Sequence, residues 1–303
     1  MNPLTVVLAL LTALSNASAS VLQRRAATDE PESGTGPRHA VRWLAHQVRR
    51  PHWLAGTGLL GLSSILQACA LAVGSLSLVQ PLLASELLFT LVVGSVVFHR
   101  GPDRRTWAAF GALAVGLALF LTAAAPTPGR DTARPGHWLS VGGILLGTLV
   151  VLLIASRPVR GAPRAALLGL ASALAFAATA ALIKEVTGRL SNGVGTLLTQ
   201  WPPYVTVVTG VIGFLLLQSA FRAGSLAASQ PTLTLGDALA SVALGWALFD
   251  EHIALGLRVL PELLGVALVG AGSLGLAGSP AVNGEWDAAP ATGTGPRPAS
   301  RQP

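Results

Sequence analysis

The sequence predicts an all-α polytopic membrane protein: nine transmembrane helices in an inverted four-plus-one-plus-four repeat. Three observations carry that reading. Only 11% of the 303 residues are charged and 51% are hydrophobic, whereas soluble domains carry about 25% charge. Apolar runs long enough to cross a bilayer, roughly 18 residues or more, recur along the chain. Finally, one phrase is written twice. GSLSLVQP runs from Gly74 to Pro81, and GSLAASQP follows 150 residues later, from Gly224 to Pro231. An internal repeat of this kind sets the architecture before any local detail does.

Taken in order, the first span covers residues 3–23. A cleaved signal peptide is its competing reading, but no basic residue precedes it and arginines follow it. Residues 24–53 form an Arg-rich loop with a Pro/Gly/acid centre that is expected to be flexible. The second and third spans, 53–73 and 76–98, are joined by Gly74-Ser75 as a tight hairpin. The basic segment 99–105 leads to a fourth span at 106–125, and a Pro/Gly-rich loop at 126–137 leads to a fifth at 138–155. The sixth span is 165–183, followed by a polar loop at 184–200. Spans seven to nine are 203–221, 226–249 and 259–278. Residues 279–303 lack apolar periodicity and read as a disordered cytoplasmic tail. The divisions are therefore a first repeat (1–125), a linker with the fifth helix (126–164), a second repeat (165–278) and the tail.

The net charge of +7 is almost all arginine, since Lys184 is the one lysine. Arginines crowd the loops after spans one, three, five and seven and thin out in the others. The positive-inside rule then places the amino terminus outside and the carboxyl terminus in the cytoplasm of the plasma (inner) membrane. No basic face or nucleic-acid reader motif is present, so a nucleic-acid partner is not expected. Cys69 is the single cysteine and forms no internal disulfide. The sequence has no P-loop, zinc-ligand spacing or nucleophile elbow. It reads as a non-enzyme without cofactor.

The repeat extends beyond the shared phrase. Span one aligns with span six at an offset of 160, spans two and three with seven and eight at 150, and span four with nine at 154. One extra helix between the halves inverts the second copy. Inverted repeats are a transporter architecture with the substrate site near the bilayer midplane.

Two acids stand inside spans, Glu86 and Asp237, five and six residues after the shared prolines. A carboxylate in hydrocarbon costs at least about 2.5–3.5 kcal/mol unless it faces a cavity or partner. They are the leading candidates for substrate or ion binding, against a bland reading as protonated packing residues. Gln80, Gln230, Gln67, Gln218 and Asn16 could add polar groups to one cavity, with helix–helix hydrogen bonding as the bland alternative. Pro81, Pro231, Gly74 and Gly224 are candidate hinges. Lys184, Glu185, Asp250, Glu251 and His252 lie at span ends, where charges ordinarily snorkel to the interface. Glycines at 56, 58, 61, 111, 116, 142, 143, 147, 265, 270 and 272 are expected to permit close helix packing. No metal ligands can be assigned.

The segment 53–94, with Trp53, Gly56, Ser77, Leu78, Val79, Pro81 and Leu82, resembles the drug/metabolite transporter superfamily (EamA-like). It is most similar to the NIPA-like magnesium transporter branch. The segment ALFDEH at 247–252 resembles the turn closing the matching helix there. The second span has Ser63, Ser64 and Gln67 where magnesium-transporting relatives carry an acid. The resemblance implies a DMT-like bundle that moves a small solute by alternating access, with spans one, three, six and eight lining the path. Its partners would be a small solute or cation and the lipid bilayer, with a homodimer left open. The alternatives are a divalent-cation carrier and a non-transporting scaffold or sensor.

Overall fold

The computed structural model describes residues 2–28, 51–224, 226–252 and 259–283. The flexible centre expected at 29–37, the rest of that loop to residue 50 and the tail from 284 to 303 lie outside the described residues. So do the arginines at 38, 42, 49, 50 and 258.

All regular structure among the described residues is helical. In chain order the helices are α1 (Pro3–Thr28), α2 (Pro51–Val73), α3 (Leu76–Leu83), α4 (Glu86–Phe98), α5 (Arg104–Ala124) and α6 (His137–Ser156). They continue with α7 (Ala162–Arg189), α8 (Val194–Leu198), α9 (Pro202–Ala223), α10 (Leu226–Phe249), α11 (Val259–Ala277) and α12 (Pro280–Asn283). Nine of the described helical stretches are long and apolar enough to cross a bilayer, α3 and α4 together forming one of them. Eight of them have bounds within a few residues of the expected spans; the sixth, expected at 165–183, extends from Ala162 to Asn192. The protein is a multi-pass membrane protein.

Local chemistry explains many of the ends. Prolines open α1, α2 and α9, where a missing N–H costs nothing. Asp103 caps α5, its carboxylate accepting from the Thr106 amide at 2.9 Å and from the Thr106 hydroxyl. α4 and α10 end alike: a phenylalanine (Phe98, Phe249) is followed by a left-handed residue, His99 at φ 52° and Asp250 at φ 55°.

The third span is not one straight helix. Pro81 lacks the N–H that would bond Ser77. Ala84 and Ser85 then donate to Pro81 and Leu82 in tight three-residue turns before the α-ladder resumes at Phe89. The Ser85 hydroxyl also donates to the Leu82 carbonyl at 2.6 Å. The eighth span holds Pro231 at the matching place, yet α10 runs unbroken.

Packing is mediated by small residues, as expected where lipid is as apolar as the side chains. α7 is the most buried span. Ala165, Ala171, Ala173, Ala177 and Ala181 are fully buried there. α1 lies along α2 and against α3 and α4; α7 lies along α9 and α10; α5 packs on α11, and α10 on α3. A Cβ at Gly116 would sit 2.7 Å from the Val269 nitrogen, and one at Gly272 would sit 2.5 Å from the Leu113 nitrogen. By contrast, Gly58, Gly61, Gly111, Gly142, Gly143 and Gly147 face open space. Close packing there was expected and is absent among the described residues, because those glycines lie on faces turned away from neighbouring helices.

Three loop expectations also change. α7 continues through the expected 184–200 loop as far as Arg189, and Val194–Leu198 is helical. α1 continues past residue 24, where the loop was expected to begin, as far as Thr28. Residues 280–283 form a helical turn. In the first case the reason is visible: Lys184 and Glu185 have partners inside the protein, so the helix can carry them buried.

Two apolar clusters fill the bundle. One gathers Leu71, Leu76, Val79, Leu82, Phe120, Leu244, Leu248 and Phe249. The other gathers Leu87, Leu91, Leu113, Leu117, Val269 and Leu276. The break in the third span falls between them.

Candidate functional site

The structure places a buried ionic knot at the end of the bundle where α10 stops and α3 begins. Glu251 is fully buried. Its Oε1 accepts from the Leu76 amide and from Lys184 Nζ, both at 2.7 Å. Its Oε2 accepts from the Ser77 amide at 2.8 Å and the Ser77 hydroxyl at 2.6 Å. A carboxylate 174 residues away in sequence thus caps the first turn of α3, where unpaired N–H groups favour negative charge. Lys184 is 4% exposed and also donates to the Gly74 carbonyl at 2.9 Å, with the Phe249 ring 5.2 Å from its nitrogen. Gly245 makes room: a Cβ there would lie 2.3 Å from Glu251 Oε2.

Beside it, Glu185 is also fully buried. It accepts from the Ala133 amide and from Arg189 Nε, each at 2.7 Å. Arg134 pairs with Asp250 at 2.9 Å, and Thr127 and Arg130 bond the carbonyls of His252 and Phe249 through their amides. The expectation that Lys184, Glu185 and Glu251 snorkel to the interface is therefore wrong. Each has a full set of fixed partners, which is the condition under which burial of charge is tolerated. Of that group, only His252 is exposed.

Lys184, Glu251 and the Gly74–Ser77 turn form a latch between the sixth, eighth and third spans. The only sequence signal for it was the repeated GS phrase itself. Nothing local to residue 251 pointed to it.

Deeper in the bundle, the structure joins two candidate residues. Asn16 Nδ2 donates to Glu86 Oε2 at 2.6 Å, linking the first and third spans. Asp237 Oδ1 is buried with no hydrogen-bond partner among the described residues, and so are Gln80 Nε2 and Ser241 Oγ. These atoms fall on two adjacent levels. Ser77 faces Gly245, and further along Pro81 and Ala84 line one small apolar gap with Ala238 and Leu239. In that antiparallel register Gln80 lies level with Ser241, and Ser85–Glu86 lies level with Asp237. Asp237, Ser241, Leu244 and Leu248 also fall on one helical stripe, of which the two leucines are buried in the core. No hydrogen bond joins Glu86 to Asp237.

The remaining candidates lie elsewhere. Gln67 is half-buried on α2 without a hydrogen bond among the described residues; Gln218 is exposed on α9, and Gln230 is half-buried on α10. Pro81 and Pro231 are buried inside their helices. The paired glycines are both sites of close approach. A Cβ at Gly74 would sit 2.1 Å from Thr5 Cγ2, and one at Gly224 would sit 3.0 Å from Ala165 Cβ. Thr5 and Ala165 are themselves separated by 160 residues, the offset between spans one and six.

Over 273 residues the chain is 30% identical to an uncharacterized protein of Corynebacterium glutamicum, covering 86% of this chain and 92% of that one. The chain belongs to that protein's family. No family model matches it, and no solved structure does. The relatedness therefore brings no activity with it, and function has to be argued from the polar groups described above.

Proposed function

We propose that the protein is a secondary transporter of the drug/metabolite type, moving a small solute across the plasma membrane by alternating access. The carrying observation is the mid-depth polar belt. Asp237 Oδ1 is buried without a partner among the described residues at the level of the Asn16–Glu86 bond, and Gln80 Nε2 and Ser241 Oγ are likewise unpartnered about one helical turn nearer the latch. Buried polar atoms are nearly always satisfied, and unmet ones inside a membrane bundle point to a place for water, an ion or a solute.

Two further features support an inverted four-plus-one-plus-four arrangement. The hairpin glycines Gly74 and Gly224 press on Thr5 and Ala165, positions equivalent at the repeat offset. The third and eighth spans end in the same Phe-plus-left-handed turn. In this reading the amino terminus is outside, and the latch closes the outer end. Opening there requires Glu251 to leave the α3 turn. Glu86 and Asp237 then serve as the ionisable pair in the path.

The test compares cells expressing the wild-type chain, Glu86→Gln, Asp237→Asn and the double variant, at matched membrane levels. Intracellular and released metabolites are profiled alongside magnesium content. We expect at least one small organic solute to shift with the wild type and not with either variant. A shift confined to magnesium would reassign the substrate to a divalent cation. Identical profiles for wild type and double variant would sink the transporter reading.

A further inference from the structure

A second pocket lies outside the polar belt, at the latch end. It encloses about 720 Å³ between the loop before α6, the end of α7 and the start of α9. That volume suits a small molecule. We propose that it binds a small organic anion, a phosphate or carboxylate head on an apolar body.

The lining includes Arg130, Arg134 and Arg189, and no acidic side chain. Arginine only donates. Arg189 is held in place by Glu185 on one side and by Gln200 Oε1 at 2.6 Å on the other. That bond uses the Gln200 carbonyl oxygen and leaves its NH2 group as a donor. Arg134 uses Nε on Asp250, which leaves its terminal nitrogens available. Arg130 is exposed, and its side chain has no partner among the described residues.

Trp138 adds an aromatic wall; its indole Nε1 is itself buried with no acceptor among the described residues, and so lies behind the lining, not on it. Its ring meets Trp201 edge-on at 5.6 Å between centroids, and Arg189 stands 6.0 Å over the Trp201 ring. The pocket therefore offers cationic donors from three arginines beside aromatic walls, with no carboxylate in the lining to match them. An anion with an apolar portion meets both the charge and the walls; a cation can stack on the walls but is repelled by the arginines.

This site is independent of the transport proposal, because binding is measured without flux. The full chain is purified in neutral detergent and titrated calorimetrically with phenyl phosphate. Phenyltrimethylammonium, of similar body and opposite charge, is the control. We expect saturable phenyl phosphate binding, weaker in high salt. Arg130→Gln should weaken it roughly ten- to hundredfold, the loss of one charge-assisted hydrogen bond. Gln200→Leu, next to the start of α9, removes the amide donor and should also weaken it. Two variants in different elements guard against a folding defect in either.

The head group could belong to a soluble solute or to a lipid. Repeating the titration in nanodiscs separates these. Competition by phosphatidylglycerol but not phosphatidylcholine identifies a lipid phosphate, and equal affinity in both identifies a soluble anion. Either result upholds an anion site. Phenyl phosphate binding no tighter than the ammonium control overturns it, as does wild-type affinity in both variants.

Discussion

Glu251 concentrates more structural consequence than any other single side chain. It neutralises Lys184, caps two amides of α3 and fixes the Ser77 hydroxyl, all from a fully buried position. Removing one partner of a buried pair leaves an uncompensated charge and costs about 3–5 kcal/mol. Glu251→Ala should lose that much, read as a fall in unfolding temperature or denaturant midpoint in detergent. Glu251→Gln should also destabilise, since its NH2 group would face a backbone or lysine donor. Adding Lys184→Met to Glu251→Ala should recover part of the loss but not all, because the α3 amides stay uncapped. Full additivity of the two single losses would contradict the direct pairing.

The legibility of these residues differed for a physical reason. An acid in the middle of an apolar run is conspicuous, so Glu86 and Asp237 stood out at once. An Asp-Glu-His at a span end looks like ordinary interfacial charge. Only the folded chain brings residue 251 to residue 76.

Between helices, packing depends on which face of a helix a glycine occupies. Gly272→Leu must displace the α5 backbone at Leu113 and should cost about 1–3 kcal/mol or prevent folding. Gly147→Leu, on an open face of α6, should leave thermal stability unchanged within about 0.5 kcal/mol. Both glycines looked alike in the sequence, which records composition along a helix but not the azimuth of its neighbours. The cap of α5 gives a pH test. The Thr106 hydroxyl, then its amide, hold the Asp103 carboxyl below its ordinary value of 3.8. A lowered folded value means the stabilisation is complete above the unfolded value and disappears as pH falls through the folded one. Asp103→Asn should therefore flatten the acid limb of the stability curve in that window and leave its shape near neutrality unchanged.

For the whole molecule, the nine spans and the arginine bias fix which loops share a side. In a Cys69→Ser background, Asp131→Cys and Arg160→Cys should lie on opposite faces, since α6 alone separates them. An impermeant maleimide applied to intact cells should label position 131 and spare 160 until the cells are permeabilised. The reverse pattern would turn the orientation over, and labelling of both would break the span count. The latch adds a conformational expectation. Glu251→Gln should raise maleimide access to a cysteine placed at Ser241 if, as proposed, release of the latch opens that end of the bundle.

The number and order of the apolar spans were legible in the sequence alone. Apolar runs of bilayer length must become helices in lipid, whatever packs against them. The repeated GS–QP phrase marked two glycines, Gly74 and Gly224, and each is a site of close approach. Tertiary structure decided which polar groups meet. It paired Asn16 with Glu86, left Asp237 without a partner, buried Glu251 against Lys184 and gathered three arginines around one pocket. Those outcomes rest on helix azimuth, register and contacts between residues far apart in the chain, and a one-dimensional pattern of hydropathy does not encode them.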